Sequence, residues 1–217
     1  MIRPFDLSVY LITDRALSGA RGVLETVEAA IAGGATMVQL RDPEAKTRVL
    51  VEEARAIHAL TRPAGVPFIV NDRVDVVLAA GADGVHVGQA DMTVADVRAL
   101  IGPEPILGLS ITSEADLDVS DFRGVDYLGV GPVFQTSTKP DAAPPINVGG
   151  LEAIVAQTRV PIVAIGGIHA GNAADAIAAG ARGIAVVSAI CAAPDAEAAT
   201  RELVEIVRGA RKATQDS

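Results

Sequence analysis

The fold is decided by residues 67–91, which read PFIVNDRVDVVLAAGADGVHVGQAD. An apolar run at 67–70 is followed by an Ala- and Val-rich segment at 73–80 and by a second apolar run at 84–87. Short β-branched runs that alternate with longer helical segments are typical of strand–helix–strand units with parallel strands. This stretch therefore predicts one such unit.

The same alternation continues in both directions along the chain of 217 residues. Apolar runs predict eight strands, at 9–13, 36–40, 67–70, 84–87, 106–109, 127–130, 162–165 and 184–187. The segments between them predict helices at 22–33, 46–61, 73–80, 93–101, 114–118, 149–157, 171–179 and 195–211. Eight strands that are each followed by a helix predict the α/β class. Within that class they predict a single-domain (β/α)8 TIM barrel over residues 1–217, with 212–217 as a frayed tail.

A short phrase recurs before three of the strands. It reads AGGAT at 32–36, AGADG at 80–84 and AGARG at 179–183. Each copy closes a helix, and Gly supplies the left-handed conformation that helix C-termini favour. A weak internal repeat of this kind is expected if every unit makes the same turn from helix to strand.

The composition argues against several classes of protein. The formal net charge of −9 disfavours nucleic acid and anionic membranes as partners. The single Cys191 rules out a disulfide within the chain and fits a reducing cytoplasm. The first residues lack the apolar stretch of a signal peptide, and the longest apolar run, 183–193, is too short to span a bilayer. We therefore expect a soluble cytoplasmic protein, and its oligomeric state, including a homo-oligomer, stays open.

Polar residues come directly after most of the predicted strands. Barrel enzymes place their active sites at the carboxyl ends of the strands, so this convergence on one rim favours a site there. A long loop at 131–150, rich in Pro and Thr, belongs to the same rim. The polar and glycine positions at the strand ends are Thr13, Asp14, Arg41, Asp42, Asn71, Asp72, Asp91, Ser110, Gly166, Gly167 and Ser188.

Two carboxylates follow neighbouring strands, Asp72 after the third and Asp91 after the fourth. Carboxylate oxygens without nearby Cys or His ligands suit Mg²⁺, which keeps several waters and is completed by substrate phosphate. Ordinary helix capping is the alternative, because the two residues also precede the helices predicted at 73–80 and 93–101. The residues alone leave both interpretations open.

Two further regions have the chemistry of phosphate sites. The stretch Thr136-Ser-Thr-Lys139 offers hydroxyls, backbone N–H groups and one ammonium group, and a solvated loop is the alternative. Gly167 and the pair Val187-Ser188 follow strands seven and eight. Barrels build phosphate sites there from glycine amides and a helix N-terminus, and simple tight turns are the alternative.

Strand two carries a pair of polar side chains. Gln39 and Arg41 alternate along it and therefore point to the same side, towards the barrel interior or mouth. An Arg there needs an anionic partner, and Gln can contact the edge of a heterocycle through paired hydrogen bonds. His86, within strand four, is expected to be a structural residue. The sequence contains no evident Cys–His or Ser–His–Asp arrangement, which disfavours covalent nucleophilic catalysis.

In combination, these motifs resemble those of the thiamine phosphate synthase family. The matching phrases occur in family order over residues 9–210, and the ordered set is highly specific although no phrase is decisive alone. The phrases are YLITD (10–14), VQLR (38–41), VNDR (70–73), GVHVGQAD (84–91), GLS (108–110), DYLGVGPVF (126–134), TSTK (136–139), AIGGI (164–168) and VVSAI (186–190).

The resemblance implies a transferase of thiamine biosynthesis. Such an enzyme joins 4-amino-2-methyl-5-(diphosphooxymethyl)pyrimidine to a thiazole phosphate, carboxylated or not, and releases pyrophosphate. It also implies Mg²⁺ as the cofactor, with Asp72 and Asp91 as its ligands. The implied contacts to the pyrimidine and its diphosphate are Gln39, Arg41, Asn71, Ser110 and Lys139, of which Arg41, Ser110 and Lys139 are catalytic. The implied thiazole phosphate site consists of Thr136, Thr138, Gly167, Val187 and Ser188.

One position departs from the family pattern. The family usually reads Gln-Leu-Arg-x-Lys after strand two, and that Lys helps to hold the diphosphate, whereas this chain has Pro43. Either Lys46 or Arg48 reaches into the site, or the site works with one cation fewer. Two rival functions are a related barrel that isomerises the thiazole carboxylate phosphate and a non-catalytic sensor of thiamine precursors. The complete metal and pyrimidine set favours the synthase over both.

Overall fold

The structure is a computed structural model that describes residues 5–138 and 143–215. Eight parallel strands close into a barrel in sequence order, and β8 pairs with β1 through Val9 and Ile184. The predicted (β/α)8 TIM barrel is therefore confirmed. The strands are β1 Val9–Ile12, β2 Met37–Leu40, β3 Phe68–Asn71, β4 Gly84–Val87, β5 Ile106–Ile111, β6 Tyr127–Val130, β7 Ile162–Ile165 and β8 Gly183–Val186.

Helices surround the barrel and connect successive strands. They are α1 Arg15–Ser18, α2 Gly22–Gly33, α3 Thr47–Ala64, α4 Val74–Ala80, α5 Val94–Ile101, α6 Glu114–Val119, α7 Asn147–Gln157, α8 Ala173–Ala178, α9 Ser188–Cys191 and α10 Ala196–Gln215. The four-residue helices α1 and α9 were not predicted from the sequence. The last helix reaches Gln215, beyond the predicted end at 211, so the predicted frayed tail is helical over 212–215, and 216–217 lie outside the described residues. None of the helices in the described ranges has both the length and the apolar character that a membrane span needs.

Alternate strand residues pack into two separate layers. On β1, Tyr10 and Ile12 point into the barrel, whereas Val9 and Leu11 pack against the surrounding helices. Because both faces of a parallel strand are covered, the strands are continuous apolar runs in the sequence. The layer inside the barrel includes Tyr10, Met37, Ile69, Ile106, Tyr127 and Val163.

The recurring glycine phrase has two structural roles. In each copy the glycine that ends the helix is left-handed, as the sequence predicted, with φ of 98° at Gly34, 67° at Gly81 and 98° at Gly180. Its last glycine, Gly84 or Gly183, begins a strand where a Cβ would lie 2.1 or 1.6 Å from a backbone carbonyl oxygen of the adjacent segment. A larger residue at either position would push the neighbouring segment away, so these two copies determine where their strands enter the barrel.

Candidate active site

The carboxyl ends of β2, β3 and β5 bring four of the five predicted pyrimidine contacts to one end of the barrel, namely Gln39, Arg41, Asn71 and Ser110. Gln39 is 2% exposed and its Nε2 donates to the Tyr10 hydroxyl at 2.7 Å, so its side chain lies inside the barrel. Arg41 follows two residues later, and its backbone N–H donates to the Thr13 hydroxyl at 3.1 Å. Ser110 lies near the end of β5 and is half-buried.

Asp72 occupies a strained position directly after β3. Its φ of 59° is left-handed, and its backbone N–H donates to the carbonyl of His86 on β4 at 2.8 Å. Non-glycine residues with such a φ persist where the surrounding structure enforces it, and they cluster at functional sites. The carboxylate accepts a hydrogen bond from Asn71 Nδ2 at 2.5 Å. The N-cap residue of α4 is Arg73, so Asp72 does not occupy the capping position.

Asp91 lies in the loop that follows β4, the next strand of the barrel. Its Oδ2 accepts a hydrogen bond from the backbone N–H of Gly88 at 2.7 Å. A Cβ on Gly88 would come within 2.9 Å of that oxygen, so the glycine makes room for the carboxylate. The N-cap of α5 is Thr93, whose hydroxyl accepts from the N–H of Asp96, so Asp91 is not the helix cap either. Both carboxylates thus belong to the rim above β3 and β4 and are exposed there.

A chain of hydrogen bonds crosses the barrel beneath this rim, and we call it the polar relay. It begins at Gln39 on β2, whose amide donates to Tyr10 on β1. The hydroxyls of Tyr10 and Tyr127 are 2.9 Å apart, and Tyr127 lies 2.9 Å from Nδ1 of His86. The other ring nitrogen of His86, Nε2, is 2.9 Å from Ser110 Oγ. The relay therefore joins two predicted substrate contacts, Gln39 and Ser110.

Burial keeps the central members of the polar relay uncharged. Removal from water lowers the pKa of His86 from 6.5 to about 4, and the negative charge of Asp91 opposes that shift. Removal from water also raises the pKa of the Tyr10 and Tyr127 hydroxyls well above the ordinary value. Each charged form is disfavoured because the interior solvates it poorly. The relay consequently consists of neutral donors and acceptors near neutral pH.

The middle of this relay was not predicted from the sequence. His86 was expected to be structural, and it does fill the interior, but it also contacts Ser110. Tyr10 and Tyr127 were not identified as site residues, although they are the only two tyrosines of the chain. Both occupy inward-facing strand positions and have a polar end that needs a partner when buried. That combination is the signal that could have identified them.

The loops after β6 and β7 are joined side by side. Val133 N–H donates to the carbonyl of Ile165 at 2.8 Å, and Phe134 N–H donates to the carbonyl of Gly166 at 3.0 Å. Gly167 has a φ of 64°, and a Cβ on it would lie 2.4 Å from the Gln135 carbonyl oxygen. The loop that carries Thr136 and Thr138 is thereby held against the predicted glycine site. Within it, the Thr138 N–H donates to the Thr136 hydroxyl at 3.3 Å, and Lys139 lies outside the described residues.

Strand β8 leads directly into the short helix α9. Val187 is its N-cap residue and Ser188 its first helical residue. The first N–H groups of a helix have no carbonyl partner within it, so they remain available for other acceptors. The structure thus places Val187 and Ser188 at the carboxyl end of β8, beside the end of β7.

The loop after β2 contains the position that departs from the family pattern. Pro43 is exposed. The preceding Asp42 accepts hydrogen bonds from the backbone N–H of Ala45 at 3.1 Å and from Arg15 Nε at 2.9 Å, which organises the loop. Lys46 is exposed directly before α3. Lys46 therefore lies at the edge of this rim loop.

Comparison with known proteins identifies close relatives of the chain. Residues 9–190 match the family model described as thiamine monophosphate synthase. A thiamine-phosphate synthase from Xanthobacter autotrophicus is 58% identical over 211 residues, which cover 97% of this chain and 100% of the relative. A second, from Azorhizobium caulinodans, is 53% identical over 98% of this chain and 100% of its own length.

Solved structures agree with these sequence relatives. A thiamine phosphate pyrophosphorylase from Pyrococcus furiosus superposes with a TM-score of 0.86 and 42% identity, covering 94% of this chain and 96% of its own. An orotidine 5'-phosphate decarboxylase from Pyrococcus horikoshii superposes with a TM-score of 0.67 but only 18% identity, over 92% of this chain and 99% of its own. The latter shares the barrel fold alone.

Proposed function

The chain belongs to the thiamine monophosphate synthase family, and we propose that it catalyses the synthase reaction at the carboxyl end of its barrel. The substrates are 4-amino-2-methyl-5-(diphosphooxymethyl)pyrimidine and a thiazole phosphate, and the products are thiamine phosphate and pyrophosphate. The observation that carries this proposal is 58% identity to a thiamine-phosphate synthase over almost the whole of both chains. If the carboxylated thiazole is the substrate, CO2 is released as well.

The reaction needs charge stabilisation and positioning more than acid–base chemistry. The bond between the pyrimidine CH₂ and the diphosphate oxygen breaks, and its electron pair leaves with the diphosphate. The resulting carbocation is stabilised by the electron-rich aminopyrimidine, and the lone pair of the thiazole nitrogen then forms the new C–N bond. No proton has to be removed from the attacking nitrogen, so no general base is required.

Arg41, Ser110 and Lys139 supply the stabilisation of the departing diphosphate in this mechanism. A guanidinium and an ammonium group offset the developing negative charge, and a hydroxyl donates a hydrogen bond. Gln39 and Asn71 hold the pyrimidine, because amide groups can match the donor and acceptor pattern of its edge. The inward position of Gln39 and the location of Ser110 at the end of β5 support these roles.

Asp72 and Asp91 would hold Mg²⁺. Among the described residues, no group of three or more His, Cys, Asp or Glu side chains could hold a metal ion. Two carboxylates completed by water and substrate phosphate oxygens are nevertheless the usual donor set for Mg²⁺, so the residues fit this ion. When bound, the ion neutralises negative charge on the diphosphate. The N-cap positions of α4 and α5 are occupied by Arg73 and Thr93 rather than by the two carboxylates, which supports the assignment.

The thiazole phosphate binds on the opposite half of the rim in this proposal. Thr136 and Thr138 offer hydroxyls, while Gly167, Val187 and Ser188 offer backbone N–H groups. The hydrogen bonds that join the loops after β6 and β7 support a common site. We further propose that the protein acts in the cytoplasm on these small molecules, without nucleic acid or membrane partners, which fits its acidic net charge of −9.

The proposal is tested by mixing purified protein with both phosphorylated substrates and Mg²⁺ and measuring thiamine phosphate by chromatography. Omitting either substrate is the control. Formation of thiamine phosphate that requires both substrates supports the assignment. Consumption of neither substrate, under conditions where the protein is folded, would refute it.

A further inference from the structure

The polar relay crosses the barrel rather than following one strand. Gln39, Tyr10, Tyr127, His86 and Ser110 belong to β2, β1, β6, β4 and β5, and the contact between the two tyrosines spans strands that are not neighbours. The two tyrosines and Gln39 are at most 2% exposed, and His86 is 8% exposed. Water therefore cannot freely replace a missing hydrogen-bond partner in the middle of the polar relay.

Two interior glycines leave the space that the relay needs. A Cβ on Gly108 would lie 2.2 Å from Tyr127 Cζ and 2.4 Å from His86 Nδ1. A Cβ on Gly129 would lie 2.9 Å from His86 Cε1. Glycine inside a strand weakens it and commonly marks a close approach by other atoms. Both glycines are thus accounted for by the contact between His86 and Tyr127.

Proton counting gives the relay a direction. Nε2 of Gln39 can only donate, so the Tyr10 oxygen accepts a hydrogen bond from it. The hydroxyl proton of Tyr10 is then donated in a hydrogen bond to the Tyr127 oxygen. Tyr127 then donates to Nδ1 of His86, whose neutral ring carries its one proton on Nε2. That proton is donated to Ser110 Oγ, and the hydroxyl proton of Ser110 is left for another acceptor.

If some hydrogen bonds of the relay pointed in one direction and the others in the opposite direction, two donors or two acceptors would face each other and one hydrogen bond would be lost. Across residues 5–138 and 143–215, no buried side-chain nitrogen or oxygen lacks a hydrogen-bond partner. If the Gln39 amide were rotated by 180°, its oxygen would face Tyr10, and donor and acceptor would exchange in every hydrogen bond of the relay. The Ser110 hydroxyl would then donate to Nε2 of His86. The relay therefore has two joint polarities, and the orientation of Gln39 selects between them.

We propose that Tyr10, Tyr127 and His86 are positioning residues that hold Gln39 and Ser110 in one joint polarity. In this polarity Gln39 retains its Oε1 and its second N–H, a pair that matches the amino group and ring nitrogen of an aminopyrimidine. Ser110 at the same time presents a proton, which suits an anionic diphosphate oxygen. The match of Gln39 and Ser110 to the aminopyrimidine and its diphosphate rests on the proposed function. The direction of the hydrogen bonds in the relay is a property of the protein without substrate.

The polarity is tested by ¹⁵N NMR of the histidine rings in the full-length protein near pH 7.5. The wild-type His86 ring is expected to be a single tautomer with its proton on Nε2. Tyr10→Phe keeps the ring but removes the hydroxyl that links Gln39 to Tyr127, so His86 should become a mixture of tautomers. Among the described residues, the Tyr10 hydroxyl is hydrogen-bonded to Gln39 and Tyr127 and not to His86, so a merely structural role would leave that tautomer unchanged.

Phe5→Leu is the matched control. Phe5 packs edge-on against Tyr127 with ring centroids 6.1 Å apart, but it has no hydroxyl and takes no part in the relay. This variant should keep the wild-type tautomer. A wild-type ring protonated on Nδ1 would overturn the proposal, and this measurement does not depend on the folding of any variant. An unchanged tautomer in Tyr10→Phe, or an equal change in Phe5→Leu, would also overturn it.

Kinetics provide a second readout. Tyr10→Phe is expected to raise the KM for the pyrimidine diphosphate roughly 3- to 10-fold, the scale of one lost hydrogen bond, and to leave the KM for the thiazole phosphate unchanged. An equal rise in both KM values would contradict selective positioning. Absence of synthase activity in the wild type would refute the proposed function, while the NMR experiment would still test the relay.

Discussion

Burial of His86 predicts a specific dependence of stability on pH. The imidazole pKa is lowered from 6.5 to about 4 in the folded protein, mainly because burial removes it from water. The unfolded chain therefore binds more protons than the folded protein between these two values. The stability is fully present above pH 6.5 and is lost as the pH falls towards 4. At about pH 5 the unfolded imidazole is largely protonated while the folded one is neutral, which costs about 2 kcal/mol.

Urea unfolding of the wild type and of His86→Gln, at about pH 7.5 and pH 5, measures this cost. Carboxylates contribute to the pH dependence of both proteins, so the difference between them isolates the imidazole. The wild type should lose about 2 kcal/mol more than the variant over this interval. His169→Gln, which removes an exposed histidine, is the matched control and should lose as much as the wild type. An equal loss in wild type and His86→Gln would show that burial does not lower the pKa of this imidazole.

Three further predictions concern the rim and the interior. Asp72→Ala or Lys139→Ala should lower kcat by roughly 10²–10³-fold, the scale of losing a main electrostatic stabiliser, and near-normal turnover in both variants would contradict the mechanism. Gly108→Ala places a methyl group 2.2 Å from Tyr127 Cζ, so the unfolding free energy should fall by about 1–3 kcal/mol in urea titrations; unchanged stability would show that the interior has room. Lys46→Ala should raise the KM for the pyrimidine diphosphate if this residue replaces the family lysine, and an unchanged KM would exclude that compensation.

Most of the fold could be predicted because its signals are local. Every predicted strand boundary lies within two residues of the observed one, since β-branched runs and glycine turns mark strand ends in the sequence itself. The short helix Ser188–Cys191 was missed because four residues are too few to show helical periodicity. The last turn of α10, residues 212–215, was missed because its mainly polar residues show no apolar periodicity.

The candidate site was predictable only in part. Residues at the ends of strands could be located, because parallel strands place their carboxyl ends on one rim. The left-handed backbone at Asp72 could not be predicted, because it depends on a hydrogen bond to the carbonyl of His86 on the next strand. The contact between Tyr10 and Tyr127 depends on the closure of the barrel, which joins residues 117 positions apart. Such pairings are set by tertiary packing and leave no local sequence pattern.

In the proposed mechanism the barrel rim joins the two phosphorylated rings, with the diphosphate held near Asp72 and Asp91. The most direct test is to follow thiamine phosphate and pyrophosphate together in one reaction with Mg²⁺, using wild type and Asp72→Asn. The wild type should form both products in equal amounts, and Asp72→Asn should form both far more slowly. Pyrophosphate release by the wild type without any thiamine phosphate, or equal rates in the two proteins, would contradict this mechanism.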